Sequence, residues 1–169
     1  MSNHTQQALP VVGEREERLY AYIRGSVRMD AFALIADRLP ELVKWLAGKG
    51  AELAGAPFFR YNTLDLDGES VIEAAVPVMV APEPEGDIGV AVLPPGRYAT
   101  LIHSGHPAQL RDAVTALREW AAREGREWDM TVVAGVEHWG CRTESYLTDP
   151  RMEPDMSKWR IELAFRLAD

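Results

Sequence analysis

The carboxylate of Glu144 and the phenol of Tyr146 stand two residues apart in an extended run, Thr143-Glu144-Ser145-Tyr146. Alternation along a strand puts both side chains on one face. A carboxylate set among aromatic rings is stripped of water, which raises its pKa and disfavours the charged form unless a cation arrives. Such a group has two chemical uses. It can hold a flat, lipophilic cation, with aromatic faces adding about 0.5–2 kcal/mol of cation–π attraction. It can instead orient or deprotonate an attacking water, general-base work that a raised pKa favours. A glutamate on a half-exposed strand can also be an ordinary surface charge.

The elements that carry these residues occur twice. Trp45-Leu46-Ala47-Gly48-Lys49-Gly50 returns as Trp120-Ala121-Ala122-Arg123-Glu124-Gly125, both reading W-x-A-x-x-G at the end of a helical pattern. Tyr20-Ala21-Tyr22-Ile23 parallels Tyr98-Ala99-Thr100-Leu101, Phe58-Phe59-Arg60-Tyr61 parallels Thr143-Glu144-Ser145-Tyr146, and Ile72-Glu73-Ala74-Ala75 parallels Ile161-Glu162-Leu163-Ala164. A repeat of this length is a structural unit. Two such units meet along a seam, a usual place for a small-molecule site. In this alignment the counterpart of Glu144 is the apolar Phe59, so the charge serves something other than the shared fold. Tyr61 and Tyr146 are counterparts of each other. Each is a candidate for the seam, and each can equally be a structural tyrosine whose hydroxyl anchors it.

Between the matched segments the periodicity changes. Leu19 to Ile23 is β-like, and Phe32, Ile35, Leu39, Leu42, Val43 and Leu46 then fall at helical spacing. Pro40 predicts either a kink or two short helices, the second opened by the proline. Phe58 to Leu64 and Glu69 to Val80 read as strands joined at Asp67-Gly68. An acidic, proline-rich linker, 81–87, follows. In the second half Ile88 to Leu93 and Tyr98 to His103 flank Pro94-Pro95-Gly96, read as a bend in one long strand. A helix follows Pro107 with Leu110, Ala113, Val114, Leu117, Trp120 and Ala121 as its stripe. Met130 to Val136 and Trp139 to Leu147 are extended, and the last strand alternates Trp159, Ile161, Leu163, Phe165 and Leu167. The expectation is an α+β fold of two βαββ repeats, with helices on one face of an antiparallel sheet. Repeat one spans 18–80 and repeat two 88–169; residues 1–17 are expected to be a disordered arm.

Composition bounds the function. A 169-residue chain with 47% apolar residues suffices for one domain with a substantial core. A net charge of −8 opposes nucleic-acid binding, which calls for a basic face. The single cysteine, Cys141, excludes an intrachain disulfide and a thiolate zinc site, which suits the cytoplasm. The N-terminal stretch lacks the features of a signal peptide, and no run approaches the ~18 apolar residues of a membrane span.

The segments Leu93-Pro94-Pro95-Gly96-Arg97-Tyr98, Glu144-Ser145-Tyr146-Leu147-Thr148-Asp149-Pro150 and Trp159-Arg160-Ile161-Glu162 resemble the GyrI-like small-molecule-binding domain, over about Arg18 to Leu167. The resemblance implies two βαββ units about a pseudo-twofold axis, a ligand groove between them, and Glu144 as the acidic residue at its centre. It implies binding of hydrophobic, often cationic or planar molecules around Glu144, and the repeat with strand alternation adds Tyr146, Tyr61 and Phe59 as pocket candidates. Some members are hydrolases of cyclopropane-bearing alkylators, for which Glu144 would activate water and Tyr146 would protonate the leaving oxygen. Others inhibit gyrase, which makes a protein-binding module a third expectation; its partner is not named by the residues. The short stretch before the first strand fits a standalone domain rather than one fused to a DNA-binding unit. No cofactor is expected.

Other residues of chemical type find less company. Trp139 lies five residues before Glu144, so simple alternation places it on the other face unless Gly140 hosts a bulge; it is carried as a pocket candidate on that condition. Trp45, Trp120 and Trp159 read as core, Trp159 also as a possible groove floor. His103, His106 and His138 lack the converging acids or cysteines of a metal site. Ser104-Gly105-His106 and Cys141 lack the partners of a nucleophilic triad, and Cys141 reads as a small buried hydrophobe.

Overall fold

The computed structural model describes residues 9–169. Among the described residues eleven strands and three α-helices follow one another. The first half comprises β1 (Val11–Arg15), β2 (Arg18–Arg28), α1 (Ala33–Ala36), α2 (Arg38–Gly48), β3 (Phe58–Tyr61), β4 (Thr63–Leu64) and β5 (Glu69–Pro77). The second comprises β6 (Ile88–Leu93), β7 (Gly96–Ser104), α3 (Leu110–Arg123), β8 (Met130–Val133), β9 (Val136–Trp139), β10 (Arg142–Tyr146) and β11 (Arg160–Arg166). The fold is α+β, and the strand pairings are antiparallel.

Eight strands form the main sheet in the order β1-β7-β11-β10-β3-β5-β2-β6. Its middle is the β10–β3 pairing, where Glu144 is the direct partner of Phe59. Helix α2 packs Leu42 and Leu46 on Ala21, Ile23, Val76 and Val78 of one half. Helix α3 packs Leu110, Ala113 and Leu117 on Leu101, Ile161, Leu163 and Phe165 of the other. Both sets of sheet residues lie on one face, so the middle strands run beneath the gap between the helices.

The opposite face curls inward. In the sheet order six strand spacings separate β6 from β7, about 29 Å if the sheet were flat. The Pro94-Pro95 link between them spans at most about 11 Å, so the two sheet margins must approach. Leu93 sits at the closure, packed against Tyr20, Phe58 and Ala75 on one side and Tyr98, Cys141 and Ala164 on the other.

Pro40 opens a second helix rather than kinking a long one, since α1 ends at Ala36 and α2 begins at Arg38. Gly50 and Gly125, the last residues of the two W-x-A-x-x-G motifs, share a φ of 68° just past α2 and α3. That left-handed conformation closes a helix most cheaply with glycine.

Four expectations need correction. The expected arm is in part a strand, because Val11–Arg15 satisfies the open edge of β7; residues 1–8 of that segment lie outside the described residues. Pro94-Pro95 does not bend one strand but separates two that pair with different neighbours. The segment 130–136 is broken by Ala134-Gly135, with φ of 52° and 80°, as the turn of the β8–β9 hairpin. After β3 the chain leaves the main sheet at Thr63–Leu64, which pairs with β9 in a small sheet ordered β4-β9-β8, before rejoining as β5.

Candidate ligand-binding site

Period-two alternation on β3 and β10 points Phe59, Tyr61, Arg142, Glu144 and Tyr146 toward the helix-bearing face. Glu144 and Tyr61 are both about 5% exposed. The Tyr61 hydroxyl donates to Glu144 Oε1 at 3.1 Å. Aromatic rings surround the pair. Phe59 meets the Tyr146 ring edge-on at 5.7 Å, Phe32 from the turn before α1 stacks on Tyr61 at 6.3 Å and meets Phe59 at 5.0 Å, and Trp159 closes on Tyr146 at 6.4 Å.

Burial pushes the Glu144 carboxyl above the usual range, against the opposing pull of the Arg142 charge and the Tyr61 hydrogen bond. Burial, with the charge of Glu144 next, pushes the phenols of Tyr61 and Tyr146 up as well. Both therefore keep their protons at neutral pH and can act as donors.

Arg142 shapes the site most after Glu144. Its guanidinium is enclosed by Phe165 at 4.5 Å, Tyr61 at 5.2 Å and Trp139 at 5.3 Å. Its ion pair is with Glu137, at 3.8 Å, and not with Glu144. Nε and Nη1 of Arg142 are buried without a hydrogen-bond partner. Burial pulls its pKa down. Glu137 is fastened elsewhere, accepting bonds from Arg118 and from the Trp139 indole. Among the described residues Glu144 has no direct ion pair.

The structure thus brings Glu144, Tyr146, Tyr61 and Phe59 together. Trp139 stands apart from the carboxylate: the break at Gly140 and Cys141 between β9 and β10 turns its ring to the helix-bearing face, where it packs with Trp128 and Phe165 and touches Arg142. Trp159 is half-buried beside Tyr146, whereas Trp45 and Trp120 flank the cores under α2 and α3. Arg142 and Phe32 escaped the reading of the sequence. For Arg142 a signal was present, since it precedes Glu144 by two residues and must share its face. Among the described residues no cluster of histidine, cysteine or acidic groups could hold a metal ion, and no helix is long and apolar enough to cross a membrane.

The sequence model of the GyrI-like small molecule binding domain matches residues 10–167. The chain belongs to that family. The GyrI-like fold is also shared with solved structures of low sequence identity. The EcmrR–DNA complex is 20% identical with a TM-score of 0.77, over 95% of this chain and 57% of that one, so this GyrI-like domain spans little more than half of that chain. The EcmrR C-terminal domain is 19% identical, with a TM-score of 0.74 over 95% of this chain and 98% of that one. SAV2435, solved bound to tetraphenylphosphonium, is 13% identical, with a TM-score of 0.55 over 95% and 94%. None of the curated proteins matches.

Proposed function

We propose that this GyrI-like domain binds hydrophobic, cationic or planar small molecules in the groove between two βαββ halves, with Glu144 as the charged centre and Tyr61, Tyr146 and Phe59 around it. The observation that carries the proposal is a buried carboxylate with one phenolic donor, aromatic neighbours and no direct ion pair. Such a charge is expensive to keep in isolation, and a lipophilic cation relieves it. Tetraphenylphosphonium, the ligand of SAV2435, has that chemistry.

The pseudo-twofold relation between the halves is part of the proposal. The order β7-β11-β10 is followed by β3-β5-β2, its reverse in terms of the repeat counterparts β2 and β7, β5 and β11, and β3 and β10. Phe59 pairs with Ala74 as Glu144 pairs with Leu163, and Ile23 pairs with Ala74 as Leu101 pairs with Leu163. These registers support an axis passing between Phe59 and Glu144.

A second reading is hydrolysis of cyclopropane-bearing or similar strained electrophiles. It is favoured by the raised Glu144 carboxyl, a base able to take a proton from water, beside two phenols that keep theirs. Mass spectrometry after incubation with lipophilic cations and cyclopropane-bearing electrophiles separates the readings. Ligands retained unchanged, and lost on Glu144→Gln, support binding; a product heavier by one water, formed only with Glu144 intact, supports hydrolysis. Neither outcome would reject both.

A further inference from the structure

The other face of β3 carries a second polar constellation. A cavity of about 370 Å³, within the usual size of ligand pockets, is lined by Tyr20, Arg24, Arg60, Asn62, Glu73 and Ala91 among others. Arg60 lies between Phe59 and Tyr61 in sequence, so its side chain leaves β3 on the side away from Glu144. This cavity is therefore separate from the aromatic site.

Its charges do not balance. Glu73, 1% exposed, accepts from Tyr20 at Oε1 and from Arg24 and the Asn62 amide at Oε2. Both carboxylate oxygens are thus engaged, and the glutamate offsets one guanidinium only. The second, Arg60, donates to the Tyr20 hydroxyl and to the Gly140 carbonyl. Its Nε is buried without an acceptor, an orphan of the kind native proteins rarely leave. Arg24 is half-exposed at its side chain and stands toward solvent. Two guanidiniums against one carboxylate leave one positive charge, and the walls at Val71, Ala91 and the Tyr20 ring are apolar.

We infer that this cavity is a second binding site, for a small molecule bearing a carboxylate or phosphate group, whose oxyanion is held by Arg60 and Arg24. An oxyanion in the cavity neutralises the surplus charge of the two guanidiniums, and charge-assisted bonds to guanidinium are the strong ones. The site is independent of the Glu144 reading, since the two lie on opposite faces and select opposite charges.

Nuclear magnetic resonance of the arginine Nε–Hε groups tests it, with sodium benzoate and inorganic phosphate as probes and benzyl alcohol as the neutral control. A saturable shift of the Arg60 resonance by either anion supports the site, and the tighter anion identifies the preferred headgroup. Arg60→Gln should weaken that anion about tenfold or more, equivalent to about 1.4 kcal/mol, while Glu144→Gln leaves it unchanged. Should Arg60→Gln fail to fold, Arg24→Gln, at a solvent-facing position, carries the same expectation. The inference is overturned if neither anion shifts Arg60 saturably, if benzyl alcohol does so equally, or if anion affinity survives both substitutions.

Discussion

Glu144 and Phe59 are direct Cα partners in the β3–β10 pairing, at the middle of the eight-stranded sheet. In the sequence repeat they are also each other's counterparts. Under the proposed pseudo-twofold relation one position thus carries a carboxylate on one strand and a phenyl ring on the other. Burial of that carboxylate opposes folding, and the surrounding rings offer it no hydration. This is the cost the proposed ligand removes.

The first prediction concerns pH. The folded-state pKa of Glu144 lies above its unfolded value, so the folded chain holds that proton the more tightly. The penalty is absent below about pH 4.3, the unfolded value. It grows as pH rises and is complete once the folded pKa is passed. Glu144→Gln should therefore gain stability relative to the unmodified protein as pH climbs from about 4, read from denaturation midpoints across pH. Tetraphenylphosphonium affinity should rise over the same window, with about one proton released on binding. A variant that loses relative stability on going to higher pH would contradict this.

Removing the phenolic donor should move that window. Tyr61→Phe deletes the hydrogen bond to Glu144 Oε1, and bonds to charged groups are worth about 1.5–3 kcal/mol. The pH midpoint for cation binding should shift upward by about one unit or more. An unchanged midpoint in titrations across pH would show that Tyr61 is a packing residue only.

Arg142 is a cation already resident beside the site, enclosed by Phe165, Tyr61 and Trp139. Arg142→Met removes a buried charge whose Nε and Nη1 have no hydrogen-bond partner and whose ion pair to Glu137 is long, at 3.8 Å, and Glu137 keeps its bonds from Arg118 and Trp139. Removing one member of a buried ion pair is costly when it strands the other, and here Glu137 keeps its ion pair with Arg118 at 2.9 Å. The variant should retain its melting temperature and, at a pH where Glu144 is ionised, bind tetraphenylphosphonium severalfold tighter, because a like charge has gone; with the pull of Arg142 removed, the pH midpoint for binding should move upward. Loss of both stability and affinity would mean that Arg142 organises the site.

Trp139 should behave as core. Its ring packs on Trp128 and Phe165 away from Glu144, so Trp139→Ala should cost about 3–5 kcal/mol in chemical denaturation. Cation affinity of the protein that remains folded should change little. A large affinity loss at unchanged stability would place Trp139 in the pocket.

The parts of the fold legible in the sequence are those written by local pattern. The stripes of α2 and α3, the glycines that close them and the alternation of β11 each follow from side-chain periodicity. What escaped was set by distant partners. Nothing local in Val11–Arg15 announces that it will cover the free edge of β7, and nothing in Pro94-Pro95 shows that the strands it joins lie at opposite margins of a curled sheet. The grouping of Glu144 with Tyr146, Tyr61 and Phe59 was legible because alternation and the repeat both act within single strands. The ring of Trp139 was not, because the break at Gly140 and Cys141 resets its facing. The Arg24–Glu73–Arg60 cluster joins three strands by cross-strand register alone.

The central claim is that Glu144 supplies a buried negative charge for a lipophilic cation. Calorimetric titration of tetraphenylphosphonium and of neutral triphenylphosphine oxide into the unmodified protein and into Glu144→Gln tests it most directly. The account predicts that Glu144→Gln weakens the cation by about tenfold or more, at least about 1.4 kcal/mol, and leaves the neutral molecule nearly unaffected. Equal losses for both ligands, or cation binding untouched by the substitution, would contradict it.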